Sequence, residues 1–388
     1  MSAQTTRQQI VERVRALGPK FAERAAAAEE ARRLPAQSIK EMLDAGLARV
    51  LMPKRFGGYE LDYETWYEVM LEISKADTSH GWCAGLIVHH AHLVAQFPLE
   101  AQQAVWADGP DVAVAASFAP RAKAERAEGG YRVSSQQSTF ASGVDNSTWV
   151  MLGGLVHGQG APEWVFFMVP PGKYSVRDVW HTAGMRGTGS NTIVVDNVLV
   201  PDGHVLSLAD LRTGKGPGAT VNPGALYRTL FFFYAPLTFA APMLGAAQGA
   251  YEHFREWVKT RQSVDGSMVA EKTATQVNMA RVAADLDAAE LLLRRTALAP
   301  YGPEQQWPDL LSRSIRDFAR VSEITVQSID TLLALCGTAG FATSHPIQRA
   351  WRDIHFASTH ISLNTEANYS HFGRMELGLP RDTSRPFF

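Results

Sequence analysis

The spacing of apolar residues changes twice along this chain of 388 residues, and those changes limit the folds it can adopt. Residues 5–47 and 62–108 place apolar residues at helical intervals. From about residue 110 to residue 211 the apolar runs are short, rich in β-branched residues and separated by turn residues, which is typical of strands. After residue 224, helical spacing returns in four long segments. The chain therefore places strands between two helical regions.

This order predicts an α+β protein of three domains. We expect an N-terminal α-helical domain over residues 1–110 and an antiparallel β domain, a barrel or a sandwich, over residues 111–211. A C-terminal four-helix bundle is expected over residues 225–388, after a Gly- and Pro-rich linker at residues 212–224. Residues 79–97 are apolar nearly all round, so this helix should be buried.

Composition argues against several classes of function. Lys and Arg number 37 and Asp and Glu number 39, a balance that does not favour nucleic acid or an anionic membrane as a partner. The N-terminal residues lack the apolar core of a signal peptide, and no run approaches the roughly 20 apolar residues that span a bilayer. We expect a soluble cytoplasmic protein in which Cys83 and Cys336 are buried, reduced thiols.

The segment Trp180–Ser190, WHTAGMRGTGS, contains three glycines that would suit a phosphate-binding turn. A dinucleotide fingerprint requires a strand before the turn and a helix after it. The residues that follow, NTIVVDNVLVPDG at 191–203, predict a strand instead. This Gly-rich segment is therefore not a Rossmann turn, and its glycines need another explanation.

Three regions of the chain together resemble the acyl-CoA dehydrogenase superfamily. The Gly-rich segment and the strand after it resemble the family's Gly-Met-Arg-Gly segment and a strand ending in Val-Pro. STFASG, at residues 138–143, resembles the strand that passes the flavin ring. LCGTAGF at residues 335–341 and RAWRDIH at residues 349–355 resemble a Gly-rich turn and an Arg-Asp segment. The resemblance covers about residues 10–380 and implies that the Gly-rich segment lies at a flavin and substrate pocket.

The family's catalytic glutamate is not matched. It stands in a Tyr-Glu-Gly-Thr-like turn after the Arg-Asp segment, whereas this chain has THISLNTEANY at residues 359–369. Glu366 is nearby but lacks the Gly-Thr that follows in the family. An acyl-CoA dehydrogenase or oxidase with Glu366 as its base is therefore an alternative interpretation, and a non-catalytic flavin-binding protein is a second.

The pattern is more similar to the flavin-dependent monooxygenases of this fold, the oxygenase components of two-component (group D) systems such as 4-hydroxyphenylacetate and steroid-phenol hydroxylases. That group has a Trp and a His eight residues apart on an early helix, and two serines in the β domain. An Arg and an aromatic residue open its bundle, and a His comes late. The matching residues are Trp82, His90, Ser117, Ser142, Arg228, Phe231 and His360. One departure is Ser362, where some members have an aromatic residue.

This resemblance implies hydroxylation of a small aromatic substrate, of the phenol or indole type, by O2 through a flavin C4a-hydroperoxide. It also implies reduced FMN or FAD supplied by a separate flavin reductase, and a homotetramer. Ser142 would hold the proton on flavin N5, His360 would serve the oxygen step, and His90, with Ser117, would activate the substrate. Substrate contacts are expected from Trp82, His90 and Ser117, and flavin contacts from Ser117, Phe140, Ala141, Ser142, Arg228, Phe231, Gly337 and Gly340.

Structural explanations compete with several of these assignments. A His in an apolar helix is more often a hydrogen-bonded core residue, and of the clustered His89, His90 and His92 at most two should be functional. No carboxylate or further His lies at ligand spacing from them, so we expect no metal site. The adjacent residues 352–353, Arg and Asp, should form a structural ion pair. The sequence leaves open the substrate (phenol, indole or sulfur heterocycle), the choice of FMN or FAD, and whether His90 or His360 serves the substrate.

Overall fold

A computed structural model describes residues 5–158 and 160–380 of the chain. The helices are α1 (Arg7–Ala31), α2 (Ala36–Asp44), α3 (Tyr63–Ala76), α4 (Thr78–Val94), α5 (Leu99–Val105), α6 (Leu208–Thr213), α7 (Pro217–Val221), α8 (Phe231–Tyr234), α9 (Leu237–Val258), α10 (Thr273–Leu298), α11 (Trp307–Cys336), α12 (Pro346–Ala357) and α13 (Thr365–Glu376). The strands are β1 (Val114–Ala127), β2 (Gly130–Ala141), β3 (Trp149–Val156), β4 (Glu163–Val169), β5 (Ser175–Arg177), β6 (Asn191–Pro201) and β7 (Val205–Ser207). This order of elements confirms the predicted fold class, while the exact domain boundaries stay predictions.

Side-chain caps fix the start of the helices around α4. Thr6 and Gln9 form a reciprocal capping box at the start of α1. Asp62 and Asp77 accept hydrogen bonds from backbone N–H groups in the first turns of α3 and α4. Every residue of α4 is buried, as its apolar sequence predicts. Packed against α3 and α9, α4 is the central helix of the N-terminal region.

The sheet is mixed rather than wholly antiparallel, which corrects one part of the prediction. Its strand order is β5-β6-β2-β1-β3-β4-β7. β1 pairs with β2 in antiparallel register on one side and with β3 in parallel register on the other. After β2 the chain turns through the 3-10 segment Val144–Asn146 and returns to the start of β1, where Trp149 lies opposite Val114. The end of β2 contacts α4, because Trp82 donates a hydrogen bond to Ser142.

The C-terminal region contains three long helices, α9, α10 and α11, followed by the shorter α12 and α13. The sequence predicts one continuous helix through α12 and α13, and that prediction is wrong. The ring of His360 accepts a hydrogen bond from the Ser362 N–H, and Asn364 accepts one from the Ala367 N–H. α12 ends at Ala357, His360 caps the 3-10 turn Ile361–Leu363 that follows, and Asn364 caps the start of α13. The predicted linker is also partly helical, since it contains α7.

Within the described part of the chain, Glu304–Phe341 has the length and hydropathy of a helix that could cross a membrane. Its main element, α11, packs against α9, α10, α12 and α13. Side chains of α11 such as Phe318 and Ile329 are fully buried in the main core. The central position of α11 in the bundle therefore accounts for its apolar composition. Cys83 and Cys336 are buried free thiols, as predicted.

Candidate active site

One face of α4 keeps some exposure within an otherwise sealed helix. Trp82 and Leu86, one turn apart, each retain 8% of their surface, whereas Ala84 and Val88 retain none. His90 continues the same side of the helix by one further turn. Aromatic rings from other elements pack beside these residues. We call Trp82, Leu86 and His90 the α4 face, and it is a largely apolar side of a buried helix.

The end of β2 carries an exposed aromatic ring on a strained backbone. Phe140 has φ of 61°, in the left-handed region that non-glycine residues rarely adopt, and 68% of its surface is exposed. Its ring meets the edge of the Trp180 ring at 6.0 Å between centroids. Trp180 is itself fixed by a 2.9 Å hydrogen bond from Nε1 to the Met185 carbonyl. Strain and apolar exposure together are typical of a ligand site.

A chain of hydroxyl groups begins two residues after Phe140. Ser142 Oγ accepts a hydrogen bond from Trp82 Nε1 at 3.2 Å and lies 2.7 Å from Ser190 Oγ. Ser190 Oγ lies 2.7 Å from Thr188 Oγ1, which in turn lies 2.8 Å from the backbone carbonyl three residues before it. Ser190 and Thr188 belong to the Gly-rich segment, so that segment supplies hydroxyl groups that contact the end of β2.

The glycines of the Gly-rich segment allow close packing. A Cβ at Gly184 would lie 2.2 Å from the Arg352 carbonyl oxygen, so no larger residue fits there without a shift. Gly189 has φ of +53°, a conformation that L side chains rarely adopt. The segment contacts α1 and α4, and this packing positions Thr188 and Ser190 beside Ser142.

Arg352 and Asp353 have separate partners, so the predicted ion pair between them is wrong. Arg352 pairs with Glu29 of α1. Asp353 accepts a hydrogen bond from the Met185 N–H at 2.6 Å, and burial, with the nearby Asp77, raises the pKa of Asp353 to about 7. Successive residues of a helix point about 100° apart, which sends the two side chains to different elements. Asp353 therefore holds the Gly-rich segment in place.

His360 lies at the Trp82 end of the α4 face. Its ring stacks on Phe239 with centroids 3.6 Å apart and meets the edge of the Trp82 ring at 6.0 Å. Its Nδ1 accepts the Ser362 N–H at 3.2 Å, so the neutral ring carries its proton on Nε2. Removal from water lowers the pKa of His360 to about 4. At neutral pH His360 is therefore an uncharged hydrogen-bond donor.

His90, at the other end of the α4 face, carries its proton on the opposite ring nitrogen from His360. Its Nδ1 lies 2.6 Å from the Val114 carbonyl oxygen, which can only accept, so Nδ1 carries the proton and Nε2 the lone pair. Burial lowers the pKa of His90 to about 4. The Phe118 ring packs nearby, with its centroid 6.4 Å from that of the His90 ring. At neutral pH His90 is therefore an uncharged acceptor.

The neighbouring histidines, His89 and His92, have no ring nitrogen that a ligand could reach. His89 Nδ1 lies 3.2 Å from the Thr238 hydroxyl, and His92 donates to the Leu226 carbonyl at 3.1 Å. The second nitrogen of each of these rings is enclosed and has no partner, whereas His90 Nε2 is not enclosed in this way. Of the three, His90 is the one that can meet a ligand. Within residues 5–158 and 160–380, no three His, Cys, Asp or Glu side chains could together hold a metal ion.

Three further predicted residues contribute to the walls of the site. Ser117 is buried and donates to the Thr139 carbonyl at 2.8 Å, which fixes β1 to β2 just before Phe140. Ala141 lies in the core of the sheet domain. Phe231 stacks near Phe118 with ring centroids 5.8 Å apart. These contacts hold the elements around the site together. Because the Ser117 hydroxyl donates to a backbone carbonyl, its proton is not available to a ligand.

Arg228, Gly337 and Gly340 lie elsewhere. Arg228 is exposed and donates to the Pro223 carbonyl at 3.1 Å. Gly337 has φ of 58°, and Gly340 is buried, in a 3-10 turn that packs on α11 and α12. Among the contacts of the described residues, these three do not share a ring or hydrogen-bond partner with the α4 face. In a single copy of the chain they are not brought together with Ser142.

Sequence reasoning does not find Thr188, Ser190, Phe118 or Phe239. Hydroxyl residues alternating with glycines, as in GTGS at residues 187–190, were a usable signal for the first two. The two phenylalanines give no local signal, because any buried strand or helix contains such residues. The base of the acyl-thioester alternative, Glu366, is exposed in the first turn of α13.

Comparison with known proteins places the chain in a family with this fold. Residues 4–109 match the acyl-CoA dehydrogenase N-terminal domain, and residues 237–365 match the acyl-CoA dehydrogenase C-terminal domain. The chain is 35% identical over 379 residues to the flavin-dependent monooxygenase oxygenase subunit HsaA of Rhodococcus jostii, covering 95% of this chain and 98% of that protein. It is 35% identical over 393 residues to the oxygenase component of an FADH2-dependent resorcinol hydroxylase of Rhizobium sp., covering 95% and 94%.

A solved structure is similar along nearly its full length. XiaF from Streptomyces sp., in complex with FADH2 and glycerol, superposes with a TM-score of 0.87 at 30% identity, covering 96% of each chain. Identity and coverage at these levels show common ancestry, which a shared fold alone would not. The chain therefore belongs to the family of flavin-dependent monooxygenase oxygenase subunits, built on the acyl-CoA dehydrogenase fold.

Proposed function

We propose that this chain hydroxylates a small aromatic compound of the phenol or indole type, using O2 and a reduced flavin supplied by a separate reductase. The observation that carries the proposal is the pair of imidazoles with opposite polarity, the donor His360 and the acceptor His90, at the two ends of the α4 face. Trp82 and His90 are eight residues apart, which is about 12 Å along a helix. The substrate ring would lie between these two residues.

The residues at the end of β2 fit a reduced flavin. The exposed ring of Phe140 offers an apolar surface, and Ser142 Oγ offers a hydrogen-bond acceptor next to the Trp82 ring. When bound, reduced flavin supplies the electrons that activate O2. Ser142 would hold a proton on the flavin ring, and the rings of Trp82 and Phe239 would keep water away from it.

His360 is placed to serve the oxygen step. Its Nε2–H is the donor that remains after Nδ1 has accepted the Ser362 N–H. A neutral donor gives a hydrogen bond to reduced oxygen without adding a charge to an apolar site. Phe239 and Trp82 hold the ring in one orientation, so this donor is fixed before oxygen arrives.

His90 is placed to serve the substrate. Its Nε2 lone pair can accept a hydrogen bond from a phenol O–H or an indole N–H, which makes the ring richer in electrons. The pKa of about 4 means that His90 accepts this bond more readily than it accepts the whole proton. The Val114 carbonyl keeps the acceptor nitrogen on the open side.

The proposal is tested with a panel of phenols, indoles and sulfur heterocycles, mixed with the protein and chemically reduced FMN or FAD under oxygen. Mass spectrometry should detect a product heavier by one oxygen atom, and label from ¹⁸O2 should appear in it. Oxidised flavin bleached by an acyl-CoA, with no hydroxylated product from any compound, would support the acyl-thioester alternative instead. The protein alone, with oxidised flavin and NADH, should not consume NADH, because the reductase is a separate partner.

We also propose that the chain works as a cytoplasmic homotetramer. Large apolar side chains remain exposed in one copy, including Leu291 of α10, Phe341 and Ile361, at 69%, 61% and 52% of their surface. Contact between copies would cover them, and would bring the turn Gly337–Phe341 to a neighbour's flavin site. Two reduced, buried thiols suit a cytoplasmic location. A monomer in light scattering that still binds reduced flavin would contradict the tetramer.

A further inference from the structure

We propose that the hydroxyl chain formed by Thr188, Ser190 and Ser142 runs in one direction and makes the site select reduced flavin over oxidised flavin. This inference rests on the proposed function, because it assigns the flavin to the end of β2. Thr188 and Ser190 are then positioning residues, which act through Ser142. Of these three residues, only Ser142 would touch the flavin.

The direction follows from counting protons. Each hydroxyl group has one proton to donate. Thr188 Oγ1 lies 2.8 Å from the Met185 carbonyl oxygen, which can only accept, so the Thr188 hydroxyl donates its proton to that carbonyl. Ser190 must therefore donate to Thr188 across their 2.7 Å contact, and Ser142 must donate to Ser190 across the next one, also 2.7 Å.

Ser142 is left with lone pairs only. Its proton points away from the ligand side, toward Ser190, and one lone pair accepts the Trp82 Nε1–H. Any further partner of Ser142 must be a donor. Ser190 and Thr188 retain 4% and 2% of their surface, so water has little access to reverse the chain.

The two redox states of flavin differ in what they offer. Nitrogen N5 carries a hydrogen in reduced flavin and donates, whereas in oxidised flavin it carries a lone pair and accepts. If Ser142 can only accept, it forms a hydrogen bond with the N5–H of reduced flavin. With oxidised flavin, a lone pair of Ser142 faces the lone pair of N5, and no hydrogen bond forms. The chain would thus disfavour oxidised flavin, which has no electrons to give to O2, and would favour the reduced form, which reacts with oxygen.

The test uses variants that remove the fixed direction of the hydrogen bonds in the hydroxyl chain but keep the Ser142 hydroxyl. In Thr188→Val, Ser190 loses its acceptor and can turn its proton toward Ser142, which frees Ser142 to donate. The Met185 carbonyl stays satisfied, because Trp180 Nε1 also donates to it at 2.9 Å. Ser190→Ala frees Ser142 directly. Thr182→Val is the matched control, since Thr182 donates to the Gly184 carbonyl at 2.8 Å in the same segment without joining the chain.

The measurement is the dissociation constant of FMN in each redox state, by anaerobic titration of the whole protein, checked by the midpoint potential of bound FMN. Thr188→Val and Ser190→Ala should lower the ratio of oxidised to reduced dissociation constants by about threefold to tenfold, mainly through tighter oxidised FMN. For a two-electron couple this is a shift of about 15–30 mV to more negative potential. Thr182→Val and the conservative Thr188→Ser should keep the wild-type ratio.

The outcomes separate this inference from the proposed function. If Thr188→Val and Ser190→Ala fold normally but keep the wild-type ratio, or weaken both redox states equally, the directed chain is refuted and the proposed function stands. Ser142→Ala should also lower this ratio, but through weaker binding of reduced FMN, whereas Thr188→Val should act through tighter binding of oxidised FMN. A wild-type protein that binds neither redox state of FMN, and neither redox state of FAD in the same titration, overturns the proposed function and this inference together.

Discussion

Replacing His90 with Asn isolates the hydrogen-bond acceptor that we propose serves the substrate. The Asn amide can still donate to the Val114 carbonyl from near the position of Nδ1, so the structural hydrogen bond is kept. No atom of Asn reaches the position of Nε2, so the acceptor is lost. His90→Gln is the matched control, because its longer side chain can place an amide oxygen near Nε2 at the cost of the bond to Val114.

The size of the effect follows from the acidity of the two groups. A phenol has a pKa of about 10, and the pKa of His90 is lowered to about 4. Complete proton transfer would then be uphill by about 8 kcal/mol. A hydrogen bond that strengthens as charge develops on the phenol is worth about 1.5–3 kcal/mol. We therefore expect His90→Asn to lose roughly 10- to 150-fold in hydroxylation, and His90→Gln to lose less than about tenfold.

The assay measures oxygen consumed, hydrogen peroxide released and product formed, with excess reduced FMN. In His90→Asn, oxygen consumption should stay at the wild-type rate while peroxide replaces product. The deficit should shrink as the pH nears about 10, where a phenol ionises unaided. In the wild type, product yield should hold from pH 8 down to about 5.5 and fall as the pH approaches 4, where His90 becomes protonated. A loss beyond about 10⁴-fold would point to full proton transfer, and no loss at all would show that the substrate binds elsewhere. Either result refutes the reasoning.

Three further predictions concern other side chains. His360→Ala should slow oxygen consumption by about 10²-fold or more, with or without substrate, because a fixed hydrogen-bond donor is lost. If rapid-mixing absorbance instead shows that only product formation is slow, the roles assigned to the two histidines are reversed. His92→Gln should reduce the acid sensitivity of folding. Because folding lowers the pKa of His92 from 6.5 to about 4, the unfolded chain takes up the proton first as the pH falls, and the wild type loses about 2 kcal/mol of unfolding free energy between pH 7 and pH 5 that the variant retains. Urea unfolding at both pH values measures this, and equal pH dependence in the two proteins would contradict it. Phe140→Ala should weaken reduced FMN binding by about twofold to tenfold through the loss of ring contact, as read by anaerobic titration, and unchanged binding would place the flavin away from β2.

The order of helices and strands could be predicted from the sequence because each element shows its own local period. The burial of α4 follows in the same way from its continuous apolar residues. The pairing of each strand with its neighbours in the sheet cannot be predicted from these local patterns. β1 and β3 have ordinary strand patterns, and their parallel pairing depends on the path through Val144–Asn146, which no local signal reports.

The break between α12 and α13 was missed for a related reason. Residues 346–376 keep apolar residues at helical spacing almost throughout, so the pattern favours one helix. The helix instead ends at Ala357, and side-chain caps at His360 and Asn364 start a 3-10 turn and then α13. Asn before a polar turn is a weak capping signal, and His is an unusual cap. The interruption is what turns the His360 ring toward Trp82.

The residues of the candidate site could be named from the sequence more easily than their hydrogen bonds. Ser117 and Ser142 have the same side chain, yet the Ser117 proton goes to the Thr139 carbonyl and the Ser142 proton goes to another hydroxyl. Such differences depend on which backbone atom comes within 3 Å after folding, and a sequence does not contain that distance. Arg228 shows the same limit, since it matches by spacing and lies exposed on the surface.

The polarity of the site is set by the backbone rather than by the imidazoles themselves. An isolated neutral imidazole can carry its proton on either nitrogen, and in apolar surroundings neither form would be preferred strongly. The Val114 carbonyl fixes the His90 proton on Nδ1, and the Ser362 N–H fixes the His360 proton on Nε2. Because burial lowers the pKa of both rings to about 4, neither gains a second proton near neutral pH that would erase the difference. A substrate whose polar hydrogen meets His90 must direct its ring toward Trp82 and Ser142. The reverse orientation would set that hydrogen against the His360 donor, so in the proposed arrangement two backbone atoms would determine which edge of the ring faces the flavin.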